Sequence, residues 1–492
     1  MRKQTVRVIF YTLIHLILFA IGPLVADISG RSDSDYEAFY DDNKDTNKEK
    51  ELVYHRNTEN SDLEKYIMEA DCREFNISFN FSHTNIKALG KDFINSLFVT
   101  CLNFEGNQIE SVESGAFNNV PALQYLNMER NYISFLFSFN GHNNLKTLIL
   151  ARQLSYYDRN LKIIGEYPEL RYLDLSGNRI SSINWPRSDE NSYYRINRKS
   201  PFPKLQYLDL SYNNLYEFYT YYDESILFNQ SIIYLDLSNN NMNNLDLRVF
   251  TNLIELKLDN NDFISIHKHC YQRHVCIDEM PKLKYFSIAN NKLNNIHQYI
   301  FMNTPKLVTL NISNNELEDI SPELFYNLNS LENLYLDNNK LSSIYSVISL
   351  SSLSVLSLAH NKIQEIDPEE IINAYALKKL YLDHNAIKNI HESIFSKLEL
   401  LEELYLDSNN LIELPIGWDN NLKNLRYLNL SNNKFKFLEA LSLSESLPVI
   451  RIDLINNNLI HMKTKILRNL PKNATIYLIS QSEDSELSTR NL

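Results

Sequence analysis

Apolar and polar positions along this chain repeat in one pattern, LxxLxLxxNxL. Residues 307–317 read LVTLNISNNEL and residues 401–411 read LEELYLDSNNL. Counted by the asparagine there are fifteen copies, at Asn107, Asn131, Gln153 (a substitute), Asn178, Asn213, Asn240, Asn261, Asn291, Asn315, Asn339, Asn361, Asn385, Asn409, Asn433 and Asn457. Most intervals are 22 to 24 residues. A partial unit, FNFSHTNI at 79–86, precedes them, and a last strand, ATIYLIS at 474–480, falls where the period requires one. The short LxL stretch alternates apolar and polar, which predicts a strand with one buried face. Stacked copies predict a parallel sheet. The asparagine falls where the chain leaves the strand, and its amide can satisfy backbone groups there. The apolar residue two further on closes the turn, and only Ser155, after Gln153, breaks that rule. Phe117, Phe301, Phe325 and Phe395 predict a buried aromatic on the far side of many coils. Each copy buries about five apolar side chains, worth roughly 1.5–3 kcal/mol each before entropy. No copy could stand alone, so stability is a nearest-neighbour sum.

These residues resemble the typical extracellular class of leucine-rich-repeat proteins over roughly residues 76–480. The resemblance implies an α/β solenoid. In it a curved horseshoe carries a parallel β-sheet on the concave face and irregular or short helical segments on the convex face. It also implies protein or glycan recognition on the concave face, in innate immunity, adhesion or matrix. In general look the chain is similar to secreted arthropod members, including mosquito leucine-rich-repeat immune proteins and chaoptin-like adhesion proteins. Two departures stand out. No cysteine follows Cys276, so the cysteine-rich C-terminal cap of Toll-type ectodomains is missing, and so is a coiled coil.

The ends of the chain add a compartment. Arg2, Lys3 and Arg7 precede an apolar run from Val8 to Ile21, and Leu24-Val25-Ala26 suits cleavage, so residues 1–26 read as a signal peptide. Val8 to Ala26 is close to a spanning length, which leaves an uncleaved anchor as the alternative. Both readings place the rest outside the cytosol. Residues 27–71 carry 14 acidic and 6 basic residues and predict a disordered acidic arm, with Tyr36 and Tyr40 in a context that suits sulfation. Residues 72–98 are expected to cap the solenoid, 99–472 to hold the repeats, 473–480 the last strand and 481–492 a polar tail.

Charge and glycine narrow the function classes. The formal charge of -13 becomes -16 without residues 1–26, which hold three basic and no acidic groups. Such a surface repels nucleic acid and anionic lipid and favours neutral or basic extracellular partners. With 9 glycines in 492 residues, neither GxGxxG nor GxxxxGK[ST] occurs. No Ser/His/Asp or paired-carboxylate set has a defined geometry, so no enzyme and no cofactor is expected.

Four cysteines in an oxidising compartment read as two disulfides. Cys72 with Cys101 would staple the N-terminal cap, the alternative being an intermolecular bond through Cys101, which is expected to face outward. Cys270 with Cys276 would pin an insertion at 266–280. His267, His269, Cys270, His274 and Cys276 there have the ligand types of zinc but not a standard spacing, so no metal is assigned. A second insertion, residues 186–202, sets Arg187, Arg195, Arg198 and Lys199 beside Tyr193 and Tyr194. It is a basic contact loop or an exposed insertion without a role.

The repeat also gives the outward strand positions, where a partner would dock. They are Tyr125, Tyr172, Tyr207, Tyr234, Tyr285 and Tyr427 before the second leucine. One position past that leucine come Asp174, Asp209 and Asp236, then Tyr335, Tyr381 and Tyr405. Tyrosine offers rigid area with a polar tip, the chemistry of paratopes, although Tyr and Asp are also ordinary solvent-facing sheet residues. Six sequons, at Asn76, Asn80, Asn229, Asn311, Asn429 and Asn473, predict glycosylation. Glycans on Asn311 and Asn429 would frame Tyr335, Tyr381 and Tyr405. The expected function is a secreted recognition module, with a matrix or adhesion protein as the alternative.

Overall fold

A computed structural model describes residues 77–154, 159–184, 200–218, 231–268, 274–277, 279–343, 350–366, 374–460 and 470–478. All belong to the unit Ile77–Leu492, and the unit Met1–Asn76 lies outside them. The signal peptide, the acidic arm, Cys72, Cys270, Asn76, Asn229 and the basic loop with Arg187, Arg195, Arg198 and Lys199 therefore fall outside the described residues.

Among the described residues, seventeen three-residue strands, from Ser78–Asn80 to Thr475–Tyr477, form one parallel sheet, one strand per coil. This matches the partial unit, the fifteen copies and the last strand of the sequence pattern. Neighbours pair in register without slippage, as in Tyr172–Asp174, Tyr207–Asp209 and Tyr234–Asp236. The central residue of each strand from Cys101–Asn103 to Arg451–Asp453 is buried. Leu173, Leu208 and Leu235 are buried completely, and the far-side rings Phe117, Phe301, Phe325 and Phe395 join the same core.

The asparagines do more than close their own turns. Asn315 Nδ2 donates to the carbonyls of Ile312 and Ser313 in its own coil and of Ile288 in the coil before. Its Oδ1 accepts from the backbone N–H of Leu293, also in the coil before. The pattern recurs at Asn131, Asn213, Asn240, Asn261, Asn291, Asn339, Asn361, Asn409 and Asn433, so each amide ties two coils together. Gln153 does the same work: Nε2 donates to Met128, Leu150 and Ala151, and Oε1 accepts from Ile133.

A second rule was not read from the sequence. The residue before each of the fifteen ladder positions has φ between +52° and +65°. Seven of these are asparagine and two are glycine, the residue types that enter the left-handed region at least cost. The many Asn-Asn pairs of the sequence thus serve two purposes, one residue turning the chain and the next bonding it.

The far side departs from the expected helical face. Among the described residues the regular helical turns are two 3-10 turns, Pro322–Phe325 and Leu438–Leu441. Short parallel strands replace helices elsewhere, including a five-stranded sheet that runs from Glu217–Phe218 to Asn295–Ile296. The physical reason is spacing. An α-helix is about 10–12 Å wide, while the strands repeat every ~4.8 Å. Single turns and short strands stack closer to the strand interval. The insertion at 266–280 contributes to this second sheet: His274–Cys276 pairs with Asn244–Asp246 on one side and Ser265–His267 on the other.

Candidate protein-binding face

The outward residues of the main sheet form two parallel rows. One contains Cys101, Tyr125, Thr147, Tyr172, Tyr207, Tyr234, Glu255 and Tyr285 in successive coils. The other contains Asn127, Ile149, Asp174, Asp209, Asp236 and Lys257. The register therefore brings six of the expected residues into one patch. Tyr172, Tyr207 and Tyr234 stack face to face, with centroids 4.1 Å and then 4.0 Å apart and planes within 9° and 6°. Asp174, Asp209 and Asp236 run beside them.

Stacking also corrects the expected exposure. Tyr125 and Tyr234 are each only 6% exposed and Asp236 only 7%, because neighbouring coils cover them. Tyr172, Tyr207, Asp174 and Asp209 are half-buried. Cys101 occupies the outward row but is fully buried, contrary to expectation, and neither it nor Cys276 is a free thiol. Tyr125 and Tyr285 lie apart from the stack, separated from it by Thr147 and Glu255.

The three aspartates have a local task. Each Oδ1 accepts the backbone N–H two residues on, from Ser176, Ser211 and Ser238. Asparagine does this equally well in other coils, at Asn80, Asn103, Asn127, Asn311 and Asn429. The turn therefore needs an oxygen and not a charge. The charge is costly: burial, with the neighbouring Asp236 and Asp174 adding to it, pushes the Asp209 carboxyl up to about 8. Burial raises Asp174 as well. The phenols of Tyr172, Tyr207 and Tyr234 are likewise pushed up, first by burial.

Lys257 and its partner Glu255 belong to this patch and were not among the expected residues. Lys257 closes the aspartate row. Its Nζ stands 3.0 Å from Glu255, donates to the Tyr234 hydroxyl at 3.3 Å, and lies over the Tyr234 and Tyr285 rings at 5.2 and 5.9 Å. The signal was present in ELK, which aligns with YLD of the coils before it. A cation thus sits at one end of the acidic row, paired with Glu255.

The C-terminal tyrosines group differently. Tyr381 and Tyr405 stack at 4.5 Å, and Tyr427 tilts against Tyr405 at 5.0 Å. Tyr335 is separated from them by the coil carrying Ser357. Tyr427 is committed internally, donating to Asp453 at 2.6 Å, while Arg451 holds the same carboxylate. Asn311 is the register neighbour of Tyr335, and Asn429 that of Tyr405. Asn80 and Asn473 are exposed. No described helix is long and apolar enough to cross a membrane. At the far-side insertion, the His274 ring accepts or donates one hydrogen bond with Ser265 and lies 4.7 Å from His267. His269 falls outside the described residues.

Family models described as leucine-rich repeats match residues 99–153, 281–341 and 351–411 in one case and 169–188 and 424–446 in another. No curated protein sequence matches significantly. Among solved structures, the Toll–Spatzle complex of Drosophila, described as a hub in development and innate immunity, aligns with TM-score 0.51 and 17% identity. That alignment covers 78% of this chain and 54% of the other, so the chain spans about half the length of its match. A leucine-rich-repeat protein of Leptospira interrogans aligns with TM-score 0.52 and 22% identity over 75% and 93%. An internalin of Listeria monocytogenes gives 0.49 and 22% over 68% and 87%. At these identities the first two establish a shared fold: the chain is a parallel-strand solenoid built from leucine-rich repeats.

Proposed function

From a solenoid of leucine-rich repeats, we propose a protein-binding recognition module whose main-sheet face docks a basic segment of an extracellular partner. One observation carries this reading. Three consecutive coils hold aspartate where asparagine makes the same turn bond elsewhere, and the electrostatic cost is retained beside three stacked tyrosines. An arriving lysine or arginine would restore ionisation of Asp209 and find phenol rings against which to lie. Secretion and a role in immune defence are part of the proposal. They rest on the basic-then-apolar N-terminal segment, the sequons, the even cysteine count and the family resemblance. In the same reading Cys72 pairs with Cys101 and Cys270 with Cys276. Retention on matrix or cell surfaces is the second reading, favoured if fractionation finds the protein away from cleared fluid.

The test is affinity capture from native extracellular fluid with the wild type and with Asp174→Asn, Asp209→Asn and Asp236→Asn combined. Asparagine keeps every turn bond, so folding is preserved. The proposal expects salt-sensitive capture that the triple variant loses, whereas equal capture by both overturns it. A parallel variant with Tyr335, Tyr381 and Tyr405 changed to alanine tests the C-terminal window; unchanged capture removes that window.

A further inference from the structure

We propose that His360, His384 and Asp383 form a binding site for a divalent transition cation, with Zn2+ as the ion that fits them best. The site is independent of the acidic tyrosine patch. One ligand atom from each of the three residues lies within 4.8 Å of the other two. The imidazoles of His360 and His384 stack with centroids 4.0 Å apart and planes 16° apart. His384 Nδ1 stands 3.0 Å from Asp383 Oδ2.

These separations suit a single ion. Ligand atoms held at ~2.0–2.1 Å from tetrahedral zinc stand about 3.4 Å apart. The His384–Asp383 pair is already near that value, whereas the two stacked imidazole planes are nearly parallel, so one ring must turn out of the stack about its side-chain bonds before both nitrogens point at one ion. Both histidines are exposed, so the motion meets little packing. The backbone beneath them is fixed: His360 N–H donates to the Asp383 carbonyl at 3.0 Å, and His384 N–H to the Asp407 carbonyl at 3.0 Å. Two imidazoles and one carboxylate would leave a fourth position for water or for a partner's side chain. Imidazole nitrogen selects Zn2+, Ni2+ or Cu2+ over Mg2+ and Ca2+, which prefer oxygen.

The placement of the histidines is the second argument. Both sit at the left-handed position before a ladder asparagine, with φ of 54° and 52°. The flanking coils use Asn338 and Ser408 there, and asparagine is the commonest residue at this position, in seven of the fifteen coils. Two adjacent coils have given up the residue that suits this backbone, and the replacements face each other. Asp337 and Asp407 lie at the same repeat position as Asp383 in nearby coils, so the surroundings are acidic and favour a cation.

Isothermal titration of the full chain with ZnCl2 and with MgCl2 tests this, together with His360→Asn, His384→Asn, the double variant and Asp383→Asn. Asparagine is the resident of the same backbone position in seven coils, so the histidine variants keep the fold, which circular dichroism checks. The expected result is Zn2+ binding without Mg2+ binding, with each single histidine variant weaker by more than the ~10–100-fold typical of losing an outer-shell partner. The double variant then loses that site, while any binding at other histidines persists in every variant. Absence of Zn2+ binding by the wild type at millimolar metal, or an unchanged isotherm in the double variant, overturns the site. Unchanged affinity in Asp383→Asn overturns the three-ligand arrangement.

Discussion

The ring of Tyr207 lies flat on that of Tyr234, its register partner one coil away, with centroids 4.0 Å apart and planes 6° apart. The ring of Tyr172 covers the other side of Tyr207 at 4.1 Å. Both contacts follow from a parallel, in-register ladder, which places identical side chains directly above one another. Tyr207→Ala therefore removes two ring contacts at once. Aromatic pairs contribute about 0.5–1.5 kcal/mol each beyond buried area, so local stability should fall by roughly 1–3 kcal/mol. Amide hydrogen exchange should show faster opening of the strands Tyr172–Asp174 and Tyr234–Asp236, with the C-terminal coils unaffected.

Asp209 sets a pH dependence. Its carboxyl is pushed up to about 8 in the folded chain, first by burial and then by Asp236 and Asp174, against about 3.9 when unfolded. The folded state thus holds a proton that the unfolded state has released. That contribution is complete below about pH 4 and is lost as pH climbs through about 8. Asp209→Asn keeps the bond to the Ser211 N–H and removes the titration. Its stability relative to wild type should rise between pH 5 and pH 8, by on the order of 1 kcal/mol after solvent screening. Urea unfolding at both pH values measures this, and a difference that does not change with pH would count against the buried charge.

The ladder and the residue before it should respond differently to alanine. Asn315→Ala leaves the Leu293 N–H without its acceptor, while the Ile288 carbonyl keeps its bond from Asn291 Nδ2, at about 1–3 kcal/mol for the orphaned N–H. Asn314→Ala keeps all those bonds and faces only the left-handed backbone at φ 54°, at about 1–2 kcal/mol. Asn314→Gly should be near neutral. Equal losses in Asn315→Ala and Asn314→Ala, read by chemical unfolding, would contradict the division of labour between the two asparagines.

Lys257 is held by Glu255 and lies over two tyrosine rings. Lys257→Met preserves the length of the side chain and removes the charge, leaving Glu255 beside Asp236 without its cation. Breaking a fully buried pair costs about 3–5 kcal/mol. This partly solvated one should lose about 1–2 kcal/mol, less in high salt. Thermal unfolding of the variant with and without added salt is the measurement. Insensitivity to salt would show that the lysine acts by packing alone.

The fold was legible because its period is written in leucine and asparagine, which have one role in every coil. Even Gln153 could be placed by its spacing, although the reach of its longer amide needed the structure. Outward residues carried less. That Tyr172, Tyr207 and Tyr234 share a row followed from the repeat, but the cover over Tyr125 and Tyr234 comes from neighbouring side chains, which no single coil specifies. His360 and His384 were legible in principle, each standing one place before a ladder asparagine and 24 residues apart. The left-handed turn that brings them together is set by the backbone of that place, which the leucine and asparagine period does not specify. The helical far side failed for a different reason: it was carried over from relatives, and the coil spacing of this chain admits short strands and single turns instead.

Every ladder amide reaches back to the coil before it, and this has a mechanical consequence. Pulled from its C-terminal end, the molecule would yield like a zip fastener, surrendering one coil before the next is loaded. Each release would free the residues between successive ladder positions, 24 from Asn385 to Asn409, or about 80 Å of contour. A single-molecule trace would then record the repeat itself as a near-regular sawtooth.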